Sequence, residues 1–143
     1  MEDVTLLLCD YAEAVNGKLY VMGGGWSILF AADRPVNMSV AALIAVPWDQ
    51  TNRPHQIALE LLTDDGAAVE SEGNPVALRG QFEVGRPPGV KPGTSFNTPF
   101  VWNISGLVLA GGGYQWKLSV DGDPRASRAF VVTAPPPGAV PPG

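Results

Sequence analysis

The chain has one cysteine, Cys9, and one histidine, His55, among 143 residues. A single thiol excludes an intrachain disulfide and any cysteine-rich zinc centre, and a single imidazole excludes every site that needs two. Cationic clusters are missing as well: Arg34, Arg53, Arg79, Arg86, Arg125 and Arg128 are scattered along a chain of net charge −5. Phosphate backbones are held by clustered Lys and Arg, so no nucleic acid is expected as a partner. No segment approaches the roughly 20 apolar residues that cross a bilayer as a helix. The start Met1-Glu2-Asp3 is acidic where a secretory signal is basic, and the apolar run 4–9 is too short for one. No membrane partner and a reducing, cytoplasmic setting are therefore expected. Helical periods of useful length are absent, in keeping with 17 glycines and 14 prolines that interrupt helices.

What the chain does have is core-forming composition, 45% apolar against 16% charged, and strand-like alternation. In the run 114–120, Tyr114, Trp116, Leu118 and Val120 fall on one face and Gln115, Lys117 and Ser119 on the other. Met38, Val40, Ala42, Ile44 and Val46 repeat the pattern in a strand over 37–46 that Pro47 stops. Strands are expected also over 4–12 and 18–22, joined by the Asn16-Gly17 turn, and over 26–31, 57–63, 76–84, 99–109 and 126–133, with a short return over 67–72. Gly23-Gly24-Gly25 interrupts the ladder where the chain is expected to switch sheets. Residues 85–93, with Pro87, Pro88 and Pro92, read as a long loop.

About eight or nine short strands separated by turn signals predict an all-β fold, an immunoglobulin-like antiparallel β-sandwich, over residues 1–134. Residues 135–143 are Pro- and Gly-rich, lack a core pattern and are expected to form a disordered, polyproline-like tail.

The stretch Leu109-Ala110-Gly111-Gly112-Gly113-Tyr114-Gln115-Trp116 resembles the tyrosine corner of immunoglobulin-like sandwiches, where a Tyr follows a Gly by two residues and bonds back to nearby backbone. Gly112 and Tyr114 hold those places, and the resemblance implies a structural role for both. The Cys-Trp-Cys core of antibody domains is missing, so only the architecture carries over. The segments Leu8-Cys9-Asp10-Tyr11-Ala12, Lys18-Leu19-Tyr20-Val21-Met22-Gly23-Gly24-Gly25-Trp26 and Gly113-Tyr114-Gln115-Trp116-Lys117-Leu118-Ser119-Val120-Asp121-Gly122 are similar to an uncharacterised, actinobacterial-type family of small bacterial proteins. That resemblance covers most of residues 1–134 and implies no catalytic motif.

Candidate sites are few. His55 has no nucleophile-elbow pattern to serve and reads as a surface residue near a turn. Cys9 sits among apolar neighbours without a cation to activate it and reads as a packed, inert thiol. Asp64-Asp65 and Asp121/Asp123 lie on turns that would hold calcium only if they converged at one end of the sandwich; Asp-Gly is also common turn chemistry. Gly23-Gly24-Gly25 precedes strand-like sequence rather than the helix a phosphate loop requires. Trp26, Trp102 and Trp116 read as core. Trp48 opens the polar loop Asp49-Gln50-Thr51-Asn52-Arg53 and either packs back on that loop or anchors a partner or a sugar ring, with Asn52 and Arg53 beside it.

No cofactor and no catalytic residue are expected. The sequence points to a non-catalytic structural or protein-interaction module, with a protein partner or a second copy covering its edge strands. The alternative is a carbohydrate- or small-ligand-binding module using Trp48, Asn52 and Arg53.

Overall fold

Two runs of alternating residues, 37–46 and 114–120, become the central strands of two sheets packed face to face. The computed structural model describes Met1 and residues 3–135; the expected tail, Pro135 apart, lies outside the described residues. Along the chain come β1 (Val4–Val15), β2 (Lys18–Gly24), β3 (Ile28–Leu29), β4 (Pro35–Val46), β5 (His55–Thr63), β6 (Glu70–Ser71), β7 (Asn74–Pro75), β8 (Ala77–Phe82), β9 (Phe96–Val108), β10 (Gly112–Val120) and β11 (Asp123–Val132). One sheet has the order β2-β1-β4-β9 and the other β3-β11-β10-β5-β8, with β6 and β7 paired apart. Every ladder between strands is antiparallel except that of β11 with β3. The fold is an all-β sandwich, and the three two-residue strands account for its exceeding the expected strand count.

Alternation decides what faces inward. Met38, Val40, Ala42, Ile44 and Val46 are each at most 1% exposed. They meet Leu59, Leu61, Trp116, Leu118, Val120 and Phe130 of the second sheet in one continuous core. Asn16 and Gly17 (φ 51° and 72°) and Asp121 and Gly122 (φ 53° and 81°) are left-handed at both central positions, so each closes a two-residue hairpin whose twist matches its strands.

Two expected strands are shorter than read. Of 26–31 only Ile28 and Leu29 pair, parallel to Val131 and Val132. The glycine run does mark the switch between sheets: Gly23 and Gly25 have φ of 62° and 90°, and the crossing leaves two residues for the ladder. The return over 67–72 reduces to an isolated bridge from Ala68 to Leu62 and to β6, which pairs with β7 instead of continuing along β5.

Candidate functional site

The loop after β4 is built on a single 3-10 turn, Trp48–Gln50, opened by Pro47. Trp48 stacks on Phe96 of β9 with ring centroids 6.1 Å apart and 24° between planes. The Arg86 guanidinium carbon lies 4.0 Å from the Trp48 ring centroid. Arg86 also donates from Nη2 to the Trp48 carbonyl and from Nε to Thr51 Oγ1, both at 2.6 Å. A delocalised cation on an indole face with two fixed hydrogen bonds is a clamp. It joins the loop after β4 to the proline-rich loop after β8. Of the other two expected contact residues, Asn52 is exposed with φ 60° and donates its backbone N–H to Val84, and Arg53 is exposed and bonds the Gln50 side chain. Trp48 thus packs on its surroundings. Sequence reading missed its partners, Arg86 and Phe96; the one signal was a cation placed directly before Pro87-Pro88.

His55 is corrected most. It is 2% exposed, not a surface residue. Its Nδ1 lies 2.7 Å from Asp121 Oδ2 and its Nε2 2.6 Å from the Gln50 carbonyl oxygen, while the ring packs on Phe82 with centroids 5.3 Å apart. Both ring nitrogens thus lie within hydrogen-bond distance of oxygens. Asp121 Oδ1 accepts the Gln56 N–H at 2.9 Å, and the Asp121 N–H donates to the Gln56 carbonyl at 2.8 Å. The hydrogen bond from His55, followed by that from Gln56, holds the Asp121 carboxyl below the usual carboxylate range. An Asp-His pair is half of a hydrolytic triad, but here Nε2 is already committed to backbone, so the pair ties the loop after β4 to the β10–β11 turn.

The turn carboxylates do not converge. Tyr114 pairs with Thr63 and Val120 with Ile57, so Asp64 and Asp65 sit at one end of the β5–β10 ladder and Asp121 and Asp123 at the other. Six residues of strand put roughly 20 Å between the ends. Among the described residues no group of three or more His, Cys, Asp or Glu could hold a metal ion. Cys9 is fully buried, its Sγ donates to the Ser39 carbonyl at 3.4 Å, and burial followed by the neighbouring Asp10 charge pushes the thiol up.

Tyr114 is 9% exposed, stacks on Phe130 and donates its hydroxyl to the Ala110 carbonyl at 2.7 Å. Gly112 opens β10 at φ 153°, and a Cβ on the next residue, Gly113, would lie 2.6 Å from Asp64 Oδ2. Gly112 thus sits where glycine is favoured, whereas at Gly113 the exposed Asp64 side chain would have to turn aside. Removing one hydrogen bond from a buried hydroxyl costs about 1 kcal/mol, so Tyr114→Phe should lower stability by that amount in urea denaturation, and an unchanged midpoint would separate the bond from stability.

The outward faces of the two sheets differ in kind. The second sheet shows Gln56, Glu60, Arg79, Gln115 and Lys117 to solvent, alternating with its core residues, and at its β3–β11 edge Ile28 and Val131, each 49% exposed. On the first sheet the register puts Leu7, Ala41 and Val101 in one outward row, Leu43 and Pro99 in the next. No charged side chain occupies the outward positions of 5–9, 39–45 or 97–103. Ala41 is buried among its neighbours, but Leu7, Leu43, Pro99 and Val101 are only half-buried. The β1–β2 hairpin folds over one side of this face, where its Ala12, Leu19 and Val21 form a buried cluster with Cys9, Ala41 and Val101; Tyr11, Val15, Tyr20 and Met22, 44 to 67% exposed, lie on the hairpin's other side together with Glu13 and Lys18.

No curated protein and no solved structure matches the chain. Among the described residues no helix is long and apolar enough to cross a membrane. A family model does match, over residues 4–133. On that match, which takes in every strand of the sandwich, the chain belongs to DUF6941, a family of unknown function.

Proposed function

We propose that the protein is a non-catalytic interaction module that binds through the outward face of its first sheet, with a second copy of the chain as the occupant. One observation carries this reading: no charged side chain occupies the outward positions of 5–9, 39–45 and 97–103, where Leu7, Leu43 and Pro99 are half-buried, whereas Glu60, Arg79 and Lys117 stand on the outward face of the second sheet. A sheet with one face on the core normally turns charged and polar residues to water; continuous apolar runs such as 40–46 belong to strands covered on both sides. Interface centres are likewise depleted of charge. For a chain of net charge −5, a charge-free face is where two copies meet without opposing carboxylates.

Several finer points belong to the same reading. The Tyr114–Ala110 bond supports an immunoglobulin-like sandwich with a tyrosine corner. The buried, unpaired Cys9 supports a reducing, cytoplasmic setting. The engagement of both His55 nitrogens supports a role without catalysis. The carbohydrate alternative relied on an open Trp48 ring, and Arg86 lies over that ring.

Size-exclusion chromatography with light scattering tests the assembly. The wild-type chain should run at twice its 15.0 kDa mass, and Leu43→Glu or Leu7→Glu, with unchanged circular dichroism, should run as a monomer. A wild-type monomer at millimolar concentration, or a dimer that both variants leave intact, overturns the proposal.

A further inference from the structure

On the polar outward face of the second sheet, two short side chains stand side by side among long ones. Ala58 of β5 pairs with Ser119 of β10, and around them rise Gln56 and Glu60 on β5, Arg79 on β8 and Lys117 on β10. Short residues ringed by long ones make a depression, here of about 360 Å³. That lies near the lower end of small-molecule sites, roughly 300–1,000 Å³.

Its polar groups are not used by the fold. Ser119 is 8% exposed, yet its hydroxyl forms no hydrogen bond with the described residues while it lines the depression. Glu60 stands opposite Lys117, and Arg79 opposite Ala58, so three charges surround the floor. None of them is in an ion pair: among the described residues the ion pairs are His55 with Asp121 and Arg125 with Asp123. The Ser119 hydroxyl opens into the depression, and unpaired cations of a planar and a point type on two sides of it suit an oxyanion.

We propose that this depression binds a small oxyanion, carboxylate or phosphate, that carries a hydroxyl or ammonium group beside it. The Arg79 fork takes the oxyanion in bidentate fashion and Lys117 adds the second positive charge. Ser119 donates its hydroxyl to the oxyanion from the floor. Glu60 accepts from the hydroxyl or ammonium group, which distinguishes such a ligand from a simple anion. Two cations and one carboxylate line the depression. The site lies on the sheet opposite the proposed dimer face, and neither depends on the other.

Amide chemical shifts of the labelled full chain, titrated with L-malate, O-phospho-L-serine, acetate and inorganic phosphate, test the proposal. Malate or phosphoserine should shift the amides of Ala58, Arg79 and Ser119 saturably, with half-saturation at about 1 mM for a ligand this small in an open site. Saturation by malate alone assigns a carboxylate, and by phosphoserine alone a phosphate; acetate and inorganic phosphate should bind at least tenfold more weakly. Arg79→Gln and Lys117→Gln, both at the surface, should each weaken binding tenfold with the remaining spectrum unchanged. No saturation by either probe at about fifty times the expected half-saturation, acetate binding as well as malate, or shifts that survive both variants would overturn it.

Discussion

Trp116→Ala should lower the stability of the fold by about 4 kcal/mol, the loss expected when a buried aromatic site is emptied in a close-packed core. Trp116 is fully buried in the middle of β10, opposite Leu61 on β5 and Arg128 on β11. Its indole N–H has no hydrogen-bond partner among the described residues. This changes the expectation for a second substitution. Trp116→Phe keeps much of the ring contact and removes a buried donor that was itself unfavourable, so it should cost only about 1 kcal/mol. Urea unfolding followed by circular dichroism separates the two variants; equal losses would mean that the N–H is paired and that the core relies on it. A small domain has about 5–15 kcal/mol in hand, so the alanine variant should still fold at low temperature.

The face that buries Trp116 is legible in the sequence, because period-two alternation is a local property. The same holds for β4 and for the hairpin turns at Asn16-Gly17 and Asp121-Gly122, whose residue types dictate their backbone. Contacts set by register are not local. His55 is buried by Asp121, 66 residues away, and by a loop carbonyl, and no pattern around Pro54-His55-Gln56 announces either. The depression at Ala58 and Ser119 likewise exists only once β5 and β10 are aligned. The outward face of the first sheet is an intermediate case. The run Val40-Ala41-Ala42-Leu43-Ile44-Ala45-Val46 is apolar at every position, which marks a strand with both faces apolar; attention to its even-numbered residues alone conceals the odd-numbered ones. Trp48 was visible as a ring needing cover, but the cover comes from Arg86 and Phe96 on other segments.

His55→Ala should cost about 3 kcal/mol, combining an emptied buried site with acceptors left unpaired on the Gln50 carbonyl and the Asp121 carboxylate. The carboxylate's share is reduced because the Asp121 side chain is 46% exposed and water replaces part of what His55 supplied. Asp121→Asn should therefore cost less than His55→Ala, and the double variant should cost less than the two separate losses added, since each removes the same bond. The sign with pH follows from the direction of the Asp121 shift. Its carboxyl titrates lower in the folded protein than in the unfolded chain, so the stabilisation it provides is fully present above the ordinary carboxylate value of about 4 and is lost as pH falls through the lower folded value. Melting temperatures of wild type and Asp121→Asn should differ most at neutral pH and converge as pH falls through the lowered folded value of the Asp121 carboxyl. A gap that stays constant down to pH 2 would mean that the charge on Asp121 does not hold the loop after β4 to the β10–β11 turn, and that the geometry of the turn alone fixes it.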